Sequence, residues 1–352
     1  MRYHLRCHQG GEEYDSDYDS QICKKCDCFL EVLYDHKVPR INGSGKFWNY
    51  RQALPDCDYP DYELGSTRLM ASHDLQNVSL KLETDNPTRS FKDRGSIIEI
   101  SKAVEYGYKE VSVASTGNMA YSIAHYAKLA GLRVKAFLSN AANKDKVNFI
   151  MAEHDAKVVH VKGDFTTAQS LAIKYANKAN AFLVGDYCYR KEGQKTMAYE
   201  IIDQLPNTDR IMVPVGNATL ISGIAKGLTE MKAAGKISRL PMLVGVQSKG
   251  CAPLVTAFKS DNWVKYVVPK TAADAIAVGY PTFGNQAVED LKASKGDAVA
   301  VSDADLKSEQ ERFRKEYGLV AELAGVAGIA AVRNSNYGKN ERIVSIVSGG
   351  NV

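Results

Sequence analysis

From residue 78 onward, short apolar runs alternate with longer amphipathic stretches. The apolar runs predict strands at 78–83, 111–115, 133–138, 157–161, 182–185, 210–215, 242–247, 298–302 and 343–348. Helical spacing predicts helices at 90–106, 118–130, 144–154, 165–178, 192–204, 220–234, 283–294, 304–317 and 321–334. Apolar strands between amphipathic helices indicate an α/β fold, with doubly wound parallel sheets covered on both faces. Ligands in such folds bind at strand C-termini and helix N-termini, so chemistry is sought in the loops after the strands. There is no repeat at solenoid periods and no low-complexity tract. Residues 1–35 stand outside the pattern, being polar and rich in cysteine, and residues 36–75 form a lead-in.

At 352 residues the chain has room for two domains with their own cores. A net charge of +4, spread along the chain, leaves no footprint for nucleic acid or membrane. No run approaches a membrane span, and Met1-Arg2-Tyr3-His4 lacks an apolar signal core, so a cytoplasmic protein is expected. An odd cysteine count, 7, then argues for thiols or metal ligands over disulfides.

The stretch Asn86-Pro87-Thr88-Arg89-Ser90-Phe91-Lys92-Asp93-Arg94-Gly95-Ser96 follows the predicted strand at 78. Asn86-Pro87 marks a turn, and Ser90 is placed to cap the next helix. Lys92 then sits in a first helical turn, where the positive end of the dipole disfavours its charge. Phe91 beside it and the cation Arg94 would lower its pKa further and favour a nucleophilic amine. Ser115-Thr116-Gly117-Asn118 lies between a strand and a helix. Small residues there expose backbone N–H groups, an anion site suited to an amino-acid carboxylate, although the motif alone would also serve as a plain helix cap. Val215-Gly216-Asn217-Ala218-Thr219-Leu220 has the same context and suits a phosphate. It is neither a Walker loop nor a dinucleotide fingerprint. Ala218 suits that loop if its φ stays below zero.

Together with the terminal Ser348-Gly349-Gly350, these motifs resemble, in order, those of the fold-type II pyridoxal-phosphate (PLP) enzymes, above all the threonine synthase-like branch. The resemblance covers essentially the whole chain. It implies a ribbon-like segment at 1–45, a large domain from 46–106 and 189–352, and a small inserted α/β domain at 107–188. It implies that Lys92 holds PLP as a Schiff base and moves protons on the substrate. Asn118 would hydrogen-bond the phenolic oxygen of the cofactor. Gly216, Asn217, Ala218, Thr219 and Leu220 would hold its phosphate, and Ser348 would meet its pyridine nitrogen. A neutral hydroxyl there makes a weaker electron sink, as suits elimination and replacement. Ser115, Thr116 and Gly117 would bind the substrate carboxylate.

Cys23-x-x-Cys26, Cys28 and Leu30-Glu31-Val32-Leu33-Tyr34-Asp35 are similar to the zinc-ribbon-like start of that branch. Gly10 stands where a second cysteine would follow Cys7. His4, Cys7, Cys23 and Cys26 would supply the four ligands zinc wants; the alternative is a degraded ribbon with free thiols. Cys57, Cys188 and Cys251 are read as packing.

The resemblance implies a PLP-dependent carbon–oxygen lyase that turns O-phospho-L-homoserine and water into L-threonine and phosphate, working as a homodimer. Cysteate synthase-like replacement on O-phosphoserine and dehydratase-type elimination share every cofactor residue. A non-catalytic ligand binder and a nucleic-acid binder are the other classes; the intact cofactor motifs oppose the first and the ribbon's composition the second. One segment departs from the branch. Val184-Gly185-Asp186-Tyr187-Cys188-Tyr189-Arg190 keeps Tyr-Arg but lacks the Ser and Asn before it. Arg190 offers a paired clamp for a substrate phosphate. Asp186 would repel that phosphate unless a cation intervenes. Either Asp186 turns away or the substrate is less anionic than phosphohomoserine.

Overall fold

The computed structural model describes residues 1–38, 46–60, 62–115, 117–139, 147, 156–335, 337 and 340–351. Apart from Val147, the helix expected at 144–154 lies outside them, as does the candidate Thr116. The chain opens with β1 (Tyr3–Cys7), β2 (Glu13–Asp15) and β3 (Leu30–Tyr34), an antiparallel ribbon with β1 central. After β4 (Leu69–Ala71) and β5 (Val78–Leu82) comes α1 (Lys92–Glu105). Then follow β6 (Glu110–Ser115), α2 (Asn118–Leu129), β7 (Arg133–Ser139), β8 (Lys157–Val161), α3 (Phe165–Ala179) and β9 (Phe182–Val184). The rest is α4 (Cys188–Gln204), β10 (Arg210–Pro214), α5 (Thr219–Ala233), β11 (Met242–Ser248), α6 (Pro253–Ser260), α7 (Gly284–Ala293), β12 (Asp297–Val301), α8 (Asp303–Tyr317), α9 (Ala327–Arg333) and β13 (Ile343–Val347).

Two sheets carry the fold. One has the order β8-β7-β6-β9 and is wholly parallel. The other runs β12-β11-β10-β13-β5-β4, parallel except for β4 at its edge. The apolar runs therefore became strands close to where the alternation put them. β4 and α6 were not expected.

Some boundaries moved for reasons that no local pattern carries. α1 begins at Lys92 with Phe91 at its N-cap, and Ser90 makes no cap bond. Ser90 instead bridges Gly349, and Phe91 N donates to Ser348 O at 3.0 Å. The chain's last strand thus leads straight into the lysine motif. α4 begins at Cys188 rather than 192, because Gln21, reaching in from the ribbon, accepts from Tyr189 N at 3.1 Å. Gln21 is 1% exposed and also donates to Leu183 O at 2.8 Å.

α1 and α4 touch backbone to backbone. A Cβ on Gly193 would fall 1.9 Å from Arg94 O, and one on Gly95 2.5 Å from Arg190 Cγ. Only glycine allows that approach. α4 is buried almost throughout, charged residues included, so those charges must be paired. Lys81, Glu83, Arg94 and Glu200 are fully buried and form one network: Arg94 bridges Glu83 and Glu200, and Lys81 joins Glu200 at 2.8 Å.

Candidate active site

One cavity lies where the second sheet's strands end. Lys92, Asn118, Gly216, Asn217, Ala218 and Thr219 line it, as do Leu220, Ser348 and Ser115. These candidates come from α1, the end of β6, the start of α2, the loop after β10 with the start of α5, and the segment after β13, so the fold gathers motifs that are distant in sequence.

Lys92 enters from the first turn of α1, its Nζ 4.7 Å from the centre of the Phe91 ring. Burial pushes its amine below the usual lysine range, Asp186 pulls it back up, and Arg190 pushes it down. Arg94 is not among the largest influences on it: its guanidinium is held by Glu83 and Glu200 on the far side of α1. Residues two apart on a helix do not face each other. The neighbouring motif residues are scaffolding. Asp93 accepts from Thr88 N at 2.8 Å and from Ser122 Oγ at 2.6 Å, tying turn, α1 and α2 together. Asn86 Oδ1 accepts from Gly65 N at 2.9 Å.

Asn118 opens α2 and is 7% exposed. Its Nδ2 donates to Glu322 Oε1 at 2.7 Å, and its Oδ1 accepts from Asn351 Nδ2 at 3.3 Å. This leaves the second Nδ2 hydrogen for the cavity. Asn351 also donates to Thr88 O at 2.7 Å. Glu322 and Asn351 thus set the Asn118 amide; Asn351 follows the terminal glycines, and no local pattern marks Glu322 for that role. Ser115 Oγ accepts from Gly117 N at 2.8 Å and Ala120 N at 3.1 Å, which shapes the loop and caps α2. Gly117 has φ +141°, a conformation that favours glycine.

The loop before α5 is an anion cup. The first N–H groups of a helix have no partner within it and carry the positive end of the dipole. Gly216 is required there, since a Cβ would meet Ala275 O at 2.8 Å. Ala218 departs from expectation: its φ is +66°, in the left-handed region. An L-residue pays roughly 1–2 kcal/mol for that conformation, and glycine pays roughly 0.5–1 kcal/mol in chain entropy. Ala218→Gly is therefore expected to stabilise the protein by up to about 1 kcal/mol. A denaturant midpoint that falls instead would show the methyl group to be the larger contributor.

Asp186 does not turn away. It is 4% exposed, lines the cavity, and lies 3.6 Å from Lys92 Nζ. Arg190, the expected phosphate clamp, does not reach the cavity. It is fully buried and donates to Gly185 O at 2.8 Å, Lys92 O at 3.0 Å, Ser96 Oγ at 3.1 Å and the Glu99 carboxylate. Glu99, one helical turn further into α1, draws the guanidinium inward. Arg190 as placed positions the Lys92 backbone.

In the ribbon, the sulfurs of Cys7, Cys23 and Cys26 all lie within 4.8 Å of one another. Burial alone would raise the Cys23 thiol, but the Tyr14 hydroxyl and the N–H groups of Lys25 and Cys26 bring it to about 7. His4 is not with them. It sits three residues before Cys7 on β1, where side chains alternate, so its ring faces Asp35 at 3.3 Å and Glu13 at 3.9 Å on the other face. A Cβ at Gly10 would lie 3.7 Å from Cys7 Sγ, so the vacant knuckle position points at the cluster but carries no ligand atom.

The model of the pyridoxal-phosphate dependent enzymes matches residues 61–349, and the chain belongs to that family. Among its relatives, a threonine synthase of Methanosarcina acetivorans is 34% identical over 371 residues, spanning 99% of this chain and 91% of that one. A threonine synthase of Methanocaldococcus jannaschii is 33% identical over 373 residues, spanning 98% and 91%. Of solved structures, maize serine racemase has a TM-score of 0.70 at 23% identity, over 81% of this chain and 88% of its own. The processed threonine deaminase isoform 2 of Solanum lycopersicum also has 0.70 at 23% identity, over 90% and 92%. These two bear on the fold, which is that of the fold-type II enzymes.

Proposed function

We propose that this protein is a PLP-dependent carbon–oxygen lyase of the threonine synthase type, taking O-phospho-L-homoserine and water to L-threonine and phosphate. The observation that carries it is the meeting of Lys92, Asn118, Ser348 and the 216–220 loop around one cavity. The donor set fits PLP: a half-buried amine, an anion cup, an amide with a spare hydrogen and a hydroxyl. When bound, PLP supplies an electron sink that lets a proton leave the substrate's α-carbon. The amides of 216–220 would hold the phosphate, Asn118 would donate to the phenolic oxygen, and Ser348 would meet the ring nitrogen. Ser115, Thr116 and Gly117 receive the substrate carboxylate. Lys92, with its amine held down by burial, takes the α-proton and returns it further along the side chain. Relatives that are threonine synthases over 98–99% of this chain support the substrate.

Asp186 in the cavity, with Arg190 drawn inward, favours a second reading: elimination on an uncharged side chain, as in serine or threonine dehydration. Kinetics with O-phosphohomoserine, O-phosphoserine, serine and threonine separate the two. Phosphate release from O-phosphohomoserine with threonine as product is the expected result. Turnover of serine or threonine alone, giving ammonia, selects the dehydratase.

We also propose a zinc ion on Cys7, Cys23 and Cys26, with solvent as fourth ligand. Protein purified without chelator should hold stoichiometric zinc, lost in Cys23→Ser; a metal-free wild type leaves a packed thiol cluster. A cytoplasmic homodimer completes the proposal. Among the described residues no helix is long and apolar enough to cross a membrane.

A further inference from the structure

Asp186 has no part in the chemistry assigned above, yet its Oδ1 stands 3.6 Å from the nitrogen of Lys92. The carboxylate is fixed in place. Thr219 Oγ1 donates to Oδ1 at 2.8 Å and Asn217 Nδ2 to Oδ2 at 2.9 Å. Asn217 is itself fixed, because its Oδ1 accepts from Thr282 N at 2.7 Å, which turns its amino end toward Asp186. Two neutral donors steady the negative charge without cancelling it. The cations acting on it are Lys92 and Arg190, and Arg190 is already paired with Glu99. The charge of Asp186 is left for Lys92.

We propose that Asp186 is the counter-charge of Lys92, staying against the lysine nitrogen and keeping it cationic when the cofactor is attached there. A cationic nitrogen favours exchange of Lys92 for the amine of the substrate. Once freed, Lys92 has beside it a carboxylate that holds its ammonium form after it takes a proton. The other charged groups around this nitrogen are Arg190 on α4 and Glu99 on α1, which act on it in opposite senses. Tyr187 stands next to Asp186, with its hydroxyl pushed up by burial and so neutral. The phosphate loop presents only the neutral Asn217 and Thr219 to the pair.

The inference rests on Lys92 being the cofactor's lysine, and the test reports on both. The absorption spectrum of the PLP-loaded full chain is followed against pH for wild type, Asp186→Asn, Asp186→Ser and Asp186→Glu. An opposite charge at this distance shifts a titration by roughly 1–3 pH units. Removing it should therefore lower the midpoint at which the visible band of the cationic form is lost, by about 1–3 pH units, in the Asn and Ser variants. The Glu variant, which keeps the charge, should stay near wild type. Each sample is also reduced with borohydride and the modified lysine located by mass spectrometry. An adduct at Lys92 with the same midpoint in wild type, Asn and Ser variants overturns the counter-charge alone, whatever the loss of thermal stability. An adduct on another lysine overturns both readings.

Discussion

Lys92→Ala is expected to bind PLP without a covalent link and to lose about 10³-fold in turnover, within the range that a positioned acid–base group contributes. After borohydride and dialysis the wild type should keep a labelled peptide centred on Lys92, and the variant should keep none. Other lysines are buried or half-buried, but they are committed elsewhere. Lys81 is bound to Glu200, Lys195 to Glu192 and Glu230, and Lys226 to Glu192. Lys191 meets Glu31, and Lys102 meets Glu105. Of these, Lys92 lines the cavity. A labelled peptide around Lys81 or Lys195 would sink the assignment. Adding a small amine to Lys92→Ala should restore part of the rate, since the missing group is a base and the rest of the cavity is unchanged.

The largest effect on stability is expected at Arg94. Its guanidinium donates to both oxygens of Glu83, at 2.7 and 2.8 Å, and to both oxygens of Glu200, at 2.7 and 2.9 Å. All three residues are fully buried. Arg94→Met leaves two buried carboxylates facing each other with Lys81 as the remaining cation. Breaking a buried pair this way costs about 3–5 kcal/mol, read as a lower denaturant midpoint. Arg94→Lys should recover little, because an ammonium cannot supply the planar fork that spans both carboxylates. A loss below about 1 kcal/mol would mean that the network is hydrated. The same network gives an acid limb. Burial alone would raise Glu200, but Arg94 and Lys81 bring its carboxyl down to about 2. A carboxyl depressed in the folded state stabilises above its unfolded value, near 4.3, and that contribution is lost as pH falls toward about 2.

Much of the site was legible because its chemistry is local to each motif. A strand, a glycine loop and a helix start are read from consecutive residues, and 86–96, 115–118 and 215–220 each met the cavity as the order of elements required. What was not legible was direction. Lys92 and Arg94 share a motif but lie about 200° apart around the helix, so one serves the cavity and the other the core. Strand alternation likewise separates His4 from Cys7. That geometry was available from spacing alone and was outweighed by residue type. Arg190 is different. Its partner Glu99 is 91 residues away, and no local pattern tells a guanidinium which carboxylate will claim it. Ser90 lost its capping role to a bridge with Gly349, another contact between distant residues. The left-handed Ala218 is a further case, because the loop's shape is set by its packing against 275 and 276 rather than by its own sequence.

The ribbon's docking surface has a consequence in time. Tyr3 meets Tyr189, Gln21 meets Leu183, and Val32 accepts from Lys226, 194 residues further along the chain. A chain made at about 5–20 residues per second takes roughly 10–40 seconds to cover that span. For that interval the first strands have left the ribosome while the helices they rest on do not yet exist. Tyr3 and Gln21, buried in the finished protein, face water throughout it. Cys26 is exposed even in the finished protein, so whatever keeps Cys7, Cys23 and Cys26 from oxidation during synthesis has to act within the ribbon itself.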